Sequence, residues 1–326
     1  MRGLAYGVAV AVALGAGPAL AWEDGWLDQN VPEGMAPQSY ESDDGVFALR
    51  GSIGLIGLQA KEYVYAATGS KGVLSYLLWE GVAPLASSDL RLRLPGDFTI
   101  KAELRGALYG SHKMEDYDWL SPYAGTTFDS WSHRSESPNT QLDWYLDAAL
   151  SLGHDFYVDD TMRVNFNVGG KYTDVRWTAI GGTAVYSQAG FRDTEMTFAN
   201  TPVITYRQQI PAVFAGIEVE SKEGDWTWTA AAKGGYALFA LATDDHWLRS
   251  LRFSDALYAT PMYTAKLSAA YNLNRNAAIF GEFGVEQMLL ARGDTTQTGA
   301  SSGYFADAAG AEFANVSFST GLRASF

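Results

Sequence analysis

Along most of the chain apolar and polar residues alternate one for one, the period of a strand whose two faces meet different surroundings. Between residues 98 and 108 one face carries Phe98, Ile100, Ala102, Leu104, Gly106 and Leu108, and the other carries Thr99, Lys101, Glu103 and Arg105. The same period runs through residues 142–150, 162–168, 226–233, 263–271 and 279–286. It returns in Val316, Phe318, Thr320, Leu322, Ala324 and Phe326, set against Ser317, Ser319, Gly321, Arg323 and Ser325. The pattern predicts an all-β protein of about ten strands.

Alternation alone fits a soluble sandwich as well as a barrel. Two further features favour an antiparallel transmembrane β-barrel. Arg2, an apolar run over residues 4–16 and the small-residue sequence Ala19-Leu20-Ala21 read as a secretory signal peptide at residues 1–21. Residues 22–326 are then a single barrel domain, closing on a strand that ends in Phe326. No other segment approaches 18 uninterrupted apolar residues, so a helical bundle could not cross a bilayer here. Lipid offers no water to backbone amides, and a closed barrel satisfies them all.

Composition sharpens this picture. Of 326 residues 47% are hydrophobic and only 18% charged, with 18 Tyr, 16 Phe and 10 Trp, which suits aromatic girdles at a membrane surface. A formal net charge of -14 argues against a nucleic-acid partner, because phosphate neutralisation needs a basic face. With no cysteine there is no disulfide, no thiolate zinc site and no thiol nucleophile.

Four polar stretches, residues 112–138, 180–202, 243–261 and 291–315, are too long for periplasmic turns and predict long extracellular loops. Two of them carry candidate chemistry. Asp116 and Asp118 stand two apart, as do Asp244 and His246, and on extended chain each pair shares a face. A carboxylate beside an imidazole can orient it as a base for water. Two facing carboxylates raise one another's pKa, so one can stay protonated. Each motif by itself is also what an ordinary solvated loop carries.

Taken together, Asp116-Tyr117-Asp118-Trp119, Ser-Glu-Ser-Pro-Asn-Thr-Gln-Leu at 135–142, Gly181-Gly182, Tyr186-Ser187, Gly190-Phe191-Arg192-Asp193, Asp244-Asp245-His246 and the final aromatic strand resemble the omptins, ten-stranded outer-membrane proteases. The resemblance runs through most of the mature chain. It implies an endopeptidase of the aspartic type in which Asp244 and His246 activate water opposite Asp116 and Asp118, with no covalent intermediate, metal or cofactor. Ser135 would position rather than attack.

Glu62, in Lys61-Glu62-Tyr63-Val64-Tyr65, matches the family glutamate of the pocket for a basic residue before the cleaved bond; a plain lumen-facing carboxylate is the alternative. The family's second pocket acid is replaced by Ala242, and an acid on the far side of the bond by His133. Both departures imply tolerance of other residues and lower activity on basic substrates. Tyr172, Asp174 and Arg176 match the family's lipopolysaccharide grip on the outer wall, with Gln209 or Arg207 nearby; a lumen ion pair of Asp174 with Arg176 is the alternative.

The expected partners are therefore polypeptide substrates, lipopolysaccharide as activator and outer-membrane lipid, around a monomer. His112 and His154 read as surface or turn residues, and Gly169-Gly170 as a strand kink. A catalytically weak or inert barrel, serving as adhesin or structural outer-membrane protein, is the second function class.

Overall fold

The computed structural model describes residues 46–66, 72–125 and 127–326; the signal-peptide segment lies outside them. Thirteen antiparallel strands form one sheet: β1 (Phe47–Tyr65), β2 (Val73–Leu94), β3 (Phe98–Ala107), β4 (Ser111–Asp118), β5 (His133–Val158), β6 (Met162–Tyr186), β7 (Thr194–Glu223), β8 (Trp226–Ala237), β9 (Leu241–His246), β10 (Leu251–Leu257), β11 (Thr260–Asn274), β12 (Ala277–Gly299) and β13 (Gly303–Ser325). Each of β3–β4, β8–β9 and β10–β11 is one stave with a short break, since both members pair with the same neighbouring staves. Ten staves result. The first pairs with the last, β1 with β13, and the pairings β7–β8, β8–β11 and β11–β12 complete the ring. Among the described residues the barrel has no free edge.

At one end the staves join through short turns such as Gly224-Asp225 and Arg275-Asn276. Above these turns the outer face is apolar, with Leu55, Leu104, Leu150, Val168, Ile217, Leu267, Phe283 and Phe318 all exposed. Aromatic residues border the belt: Phe47, Phe98, Trp226, Trp228 and Tyr271 on the turn side, Tyr109, Tyr172, Tyr236 and Tyr263 on the other. Between the borders each stave has about ten residues, the length a tilted strand needs to cross a hydrocarbon core.

Past the belt the staves continue, and their outer face changes character. Lys61–Glu312 (2.9 Å), Lys113–Glu80 (3.0 Å), Arg252–Asp245 (2.6 Å) and Arg292–Asp307 (3.1 Å) are ion pairs that belong in water. The four long connecting segments are thus built mostly of continued strand, in ribbons that stand clear of the lipid. Their hydrophilic composition reflects two wet faces, and the irregular tips are confined to stretches such as 119–132, 187–193 and 300–302.

The lumen is filled within the belt. Lys171 pairs with Asp147 (2.6 Å) and with Glu286, and Lys233 and Lys266 both reach Glu103 at 3.0 and 3.2 Å. Above this charged lattice lies an apolar plug of Ile56, Leu58, Trp79, Met114, Trp177 and Tyr206, stacked in part (Trp79 to Tyr206, 5.6 Å between ring centres). His112 belongs to this layer, which corrects the surface position expected for it: it is buried and accepts a hydrogen bond from the Trp177 indole at 3.2 Å. His154 packs edge-on against Phe98 near a turn. The plug closes the lumen and is the floor of what stands above it.

Candidate active site

The staves that rise past the belt bring their inward faces around a cavity of about 500 Å³, lined among others by Glu62, Asp116, Asp118, His133, Ser135, Tyr186, Asp244, His246 and Asp255. The two halves of the candidate chemistry arrive on opposite walls. Asp116 and Asp118 lie at the end of β4, both inward because they are two apart. The β4–β5 ladder sets Asp116 opposite Ser135 and Asp118 opposite His133, and the β2 ladder sets Ser75 beside Asp118. Ser75 Oγ donates to Asp116 Oδ1 at 3.3 Å. Behind Ser135, Gly181 and Gly182 turn β6 with φ of 59° and 117°; a side chain at Gly182 would strike the Glu136 carbonyl at 2.0 Å.

On the other wall Asp244 and His246 share the inner face of β9. The His246 ring nitrogen Nε2 is hydrogen-bonded to Asp244 Oδ2, and Arg249 Nη2 contacts Nδ1. A guanidinium only donates, so Nδ1 is the accepting nitrogen and Nε2 carries the proton held by Asp244. Arg249 reaches back because Trp247–Arg249 form one tight turn that ends at Ser250 in the left-handed region (φ 51°), and Trp247 Nε1 anchors the turn on Thr205 at 2.9 Å. Phe253 packs edge-on against the imidazole at 5.4 Å.

The electrostatics link the walls. Burial raises the Asp116 carboxyl well above the usual range, and Asp118 and then Asp244 add to it, while Arg249 opposes. Asp118 is raised by burial, with Ser75, Arg249 and both His133 and His246 opposing. Tyr186, beside this pair, is pushed up to about 12 by burial and the two aspartates. A buried pair of this kind holds a proton to higher pH than a free aspartate does. The site therefore offers an imidazole oriented by Asp244 on one side and, on the other, a carboxylate pair held above the ordinary range of aspartate.

The four residues expected to act together do meet, and Glu62 lies deeper in the same cavity, 2 % exposed. Two participants went unread in the sequence: Asp255, directly across the β9–β10 ladder from Ala242, and Arg249. Asp255 sits between Phe253 and Leu257 on an inward stripe, and an acid interrupting such a stripe is a readable signal.

The outer-wall residues form a separate cluster at the border of the belt. Tyr172, Asp174 and Arg176 face away from Thr173, Val175 and Trp177, which point into the lumen. Asp174 accepts from Arg207 (2.9 and 2.6 Å) and from the Trp144 indole (3.0 Å), Arg176 pairs with Asp143 at 3.3 Å, and Gln209 donates to the Tyr172 hydroxyl at 2.7 Å. A lumen pair of Asp174 with Arg176 is not what forms.

The model of the Omptin family matches residues 44–326. The plasminogen activator of Yersinia pestis is 26% identical over 288 residues, covering 86% of this chain and 89% of the relative. Protease 7 of Escherichia coli K12 is 24% identical over 286 residues, covering 84% and 89%. Among solved structures, the outer membrane protease OmpT of Escherichia coli superposes with a TM-score of 0.80 at 23% identity, over 86% of this chain and 96% of that one.

Proposed function

The chain belongs to the omptin family, and from that membership we propose that it is an outer-membrane endopeptidase whose active site faces the cell exterior. The observation that carries the proposal is the convergence of Asp116, Asp118, Asp244 and His246 on one cavity above the belt. The names of the protease relatives support the same reading.

Asp244 fixes the imidazole so that Nδ1 presents its lone pair to a water held against the Asp116–Asp118 pair. The water oxygen attacks the scissile carbonyl carbon as its proton passes to Nδ1. The protonated carboxyl of the pair donates toward the developing oxyanion. Collapse breaks the C–N bond, and the proton on Nδ1 leaves with the amine. Water is the nucleophile throughout, so the mechanism is of the aspartic type and needs no acyl-enzyme. Arg249 must release Nδ1 before water can occupy that position.

Arg249 also opposes the upward shift of both aspartates. Removing it raises their pKa values further, so the fully protonated, idle pair persists to higher pH. Arg249→Gln is expected to move the acid limb of the kcat/KM profile upward. The check is a pH profile on one quenched peptide, and an unchanged or lowered limb contradicts this role.

Lipopolysaccharide is the proposed activator, gripped at the belt's border by Arg176 and Arg207 beside Tyr172 and Asp174. Arg side chains pair bidentately with phosphate, and here they already stand against the Trp144 ring, 5.1 and 5.4 Å from its centre. Arg176→Ala is expected to raise the lipopolysaccharide concentration for half-maximal activity about tenfold. A titration of activity against lipopolysaccharide measures it; an unchanged midpoint argues for a purely structural pair with Asp143. The overall reading is tested by adding an arginine-containing peptide to refolded protein with lipopolysaccharide, where absence of cleavage overturns it.

A further inference from the structure

The cavity that holds His246 is also lined by two carboxylates from different staves. Glu62 of β1 is 2 % exposed, its Oε2 has no hydrogen-bond partner, and it lines the cavity. Asp255 of β10 is 6 % exposed and lines the same space. Asp255 pairs across the ladder with Ala242 on one side and with Thr295 on the other. Ala242 is itself buried and carries no charge. An acid missing from position 242 is thus present one strand away, pointing into the same space.

A buried carboxylate without a partner is costly, and two in one pocket are more so. The groups acting most strongly on Glu62 besides burial are Asp244, Asp255 and Asp116, all of one sign, and the Thr295 hydroxyl is what opposes the rise at Asp255. The other wall adds the buried Tyr206 hydroxyl, again with no positive charge. The arrangement is complementary to a cation that arrives from outside. A substrate side chain that enters it must carry that charge.

Resting on the protease reading above, we propose that Asp255 is a specificity-determining residue. With Glu62 it forms the pocket that receives the basic side chain, arginine or lysine, of the residue before the cleaved bond. The tolerance expected from losing the acid at 242 assumed a single remaining carboxylate; the fold supplies the second.

The pocket also titrates in a useful range. Burial, with Asp244 adding and Thr295 opposing, pushes Asp255 up to about 7. The empty pocket is then largely neutral below that pH and gains charge above it. Glu62 and Asp244 act on Asp255 from β1 and β9, and their charge favours its neutral form when no cation is bound; the neutral Tyr206 hydroxyl of β7 is also near, and Thr295 of β12 opposes. Preference for arginine over its uncharged isostere citrulline should therefore grow as pH rises through 7.

The test uses the full refolded chain with lipopolysaccharide and two quenched peptides that differ only in arginine or citrulline before the bond. Asp255→Asn is expected to lower kcat/KM on the arginine peptide about 10- to 100-fold and to leave the citrulline peptide within about twofold. It should also flatten the rise of selectivity with pH. The double variant Ala242→Asp with Asp255→Ala, which moves the carboxylate back across the ladder, should recover arginine preference. Equal losses on both peptides, or none on either, overturn the assignment and leave the protease reading standing. Cleavage of neither peptide by the wild type overturns that reading. Agmatine binding to the His246→Ala protein then tests the pocket without turnover: about tenfold weaker binding on adding Asp255→Asn supports it, and unchanged binding overturns it.

Discussion

Replacing Asp244 by asparagine is expected to lower kcat about 10⁴-fold while the barrel refolds as before. The substitution keeps shape and volume but exchanges an acceptor for a group that presents an N–H to the imidazole as readily as an oxygen. In the native site Nε2 carries the proton toward Asp244, and the lone pair of Nδ1 faces Arg249 and the cavity. With asparagine the ring can reverse its tautomer, placing a proton where water must deliver one. The developing imidazolium also loses its counter-charge, in a residue pair that is only 12% and 3% exposed. His246→Ala should cost a similar factor, and the double variant no more than either single one, because the two side chains act as a unit. Initial rates on one peptide, alongside circular dichroism of the refolded barrel, measure this. Losses that multiply would mean that the two residues work separately.

The second large effect concerns the opposite wall. Asp116→Asn and Asp118→Asn are each expected to cost about 10² to 10³ in kcat, and the double variant about the same as the worse single one. The pair works by sharing a proton, and removing either carboxylate ends the sharing. The sign of the pH dependence follows from the causes. Both carboxyls are held above their usual range, Asp116 by burial and then Asp118, Asp118 chiefly by burial. Activity needs one of the two ionised, so it falls as pH drops through the lower of their raised pKa values, above that of a free aspartate. A single asparagine removes the repulsion and moves that limb down in the residual activity. A limb that stays fixed in both single variants would place the titration elsewhere.

Much of this was legible along the chain. Period two located the staves, and the spacing of two put Asp116 with Asp118 and Asp244 with His246 on common faces before any pairing was known. The resemblance to omptins then joined motifs more than a hundred residues apart, which periodicity cannot do. What stayed hidden was cross-strand. Asp255 matters because it lies opposite Ala242 across the β9–β10 hairpin and near Glu62, which is far from it in sequence. Arg249 matters because Ser250 takes a left-handed conformation that folds the turn back onto His246. The polar stretches looked like loops because a ribbon wet on its outer face and lining a polar cavity on its inner face has little hydrophobic contrast. His112 shows the converse: an ionisable side chain beside polar residues is nevertheless buried, because the Trp177 indole supplies its partner.

The most direct measurement is cleavage of a quenched arginine-containing peptide by the refolded protein with lipopolysaccharide, wild type beside His246→Ala. Wild-type turnover with at least a thousand-fold loss in the variant is the expected result. Equal rates in the two proteins would contradict an Asp244–His246 couple that activates water.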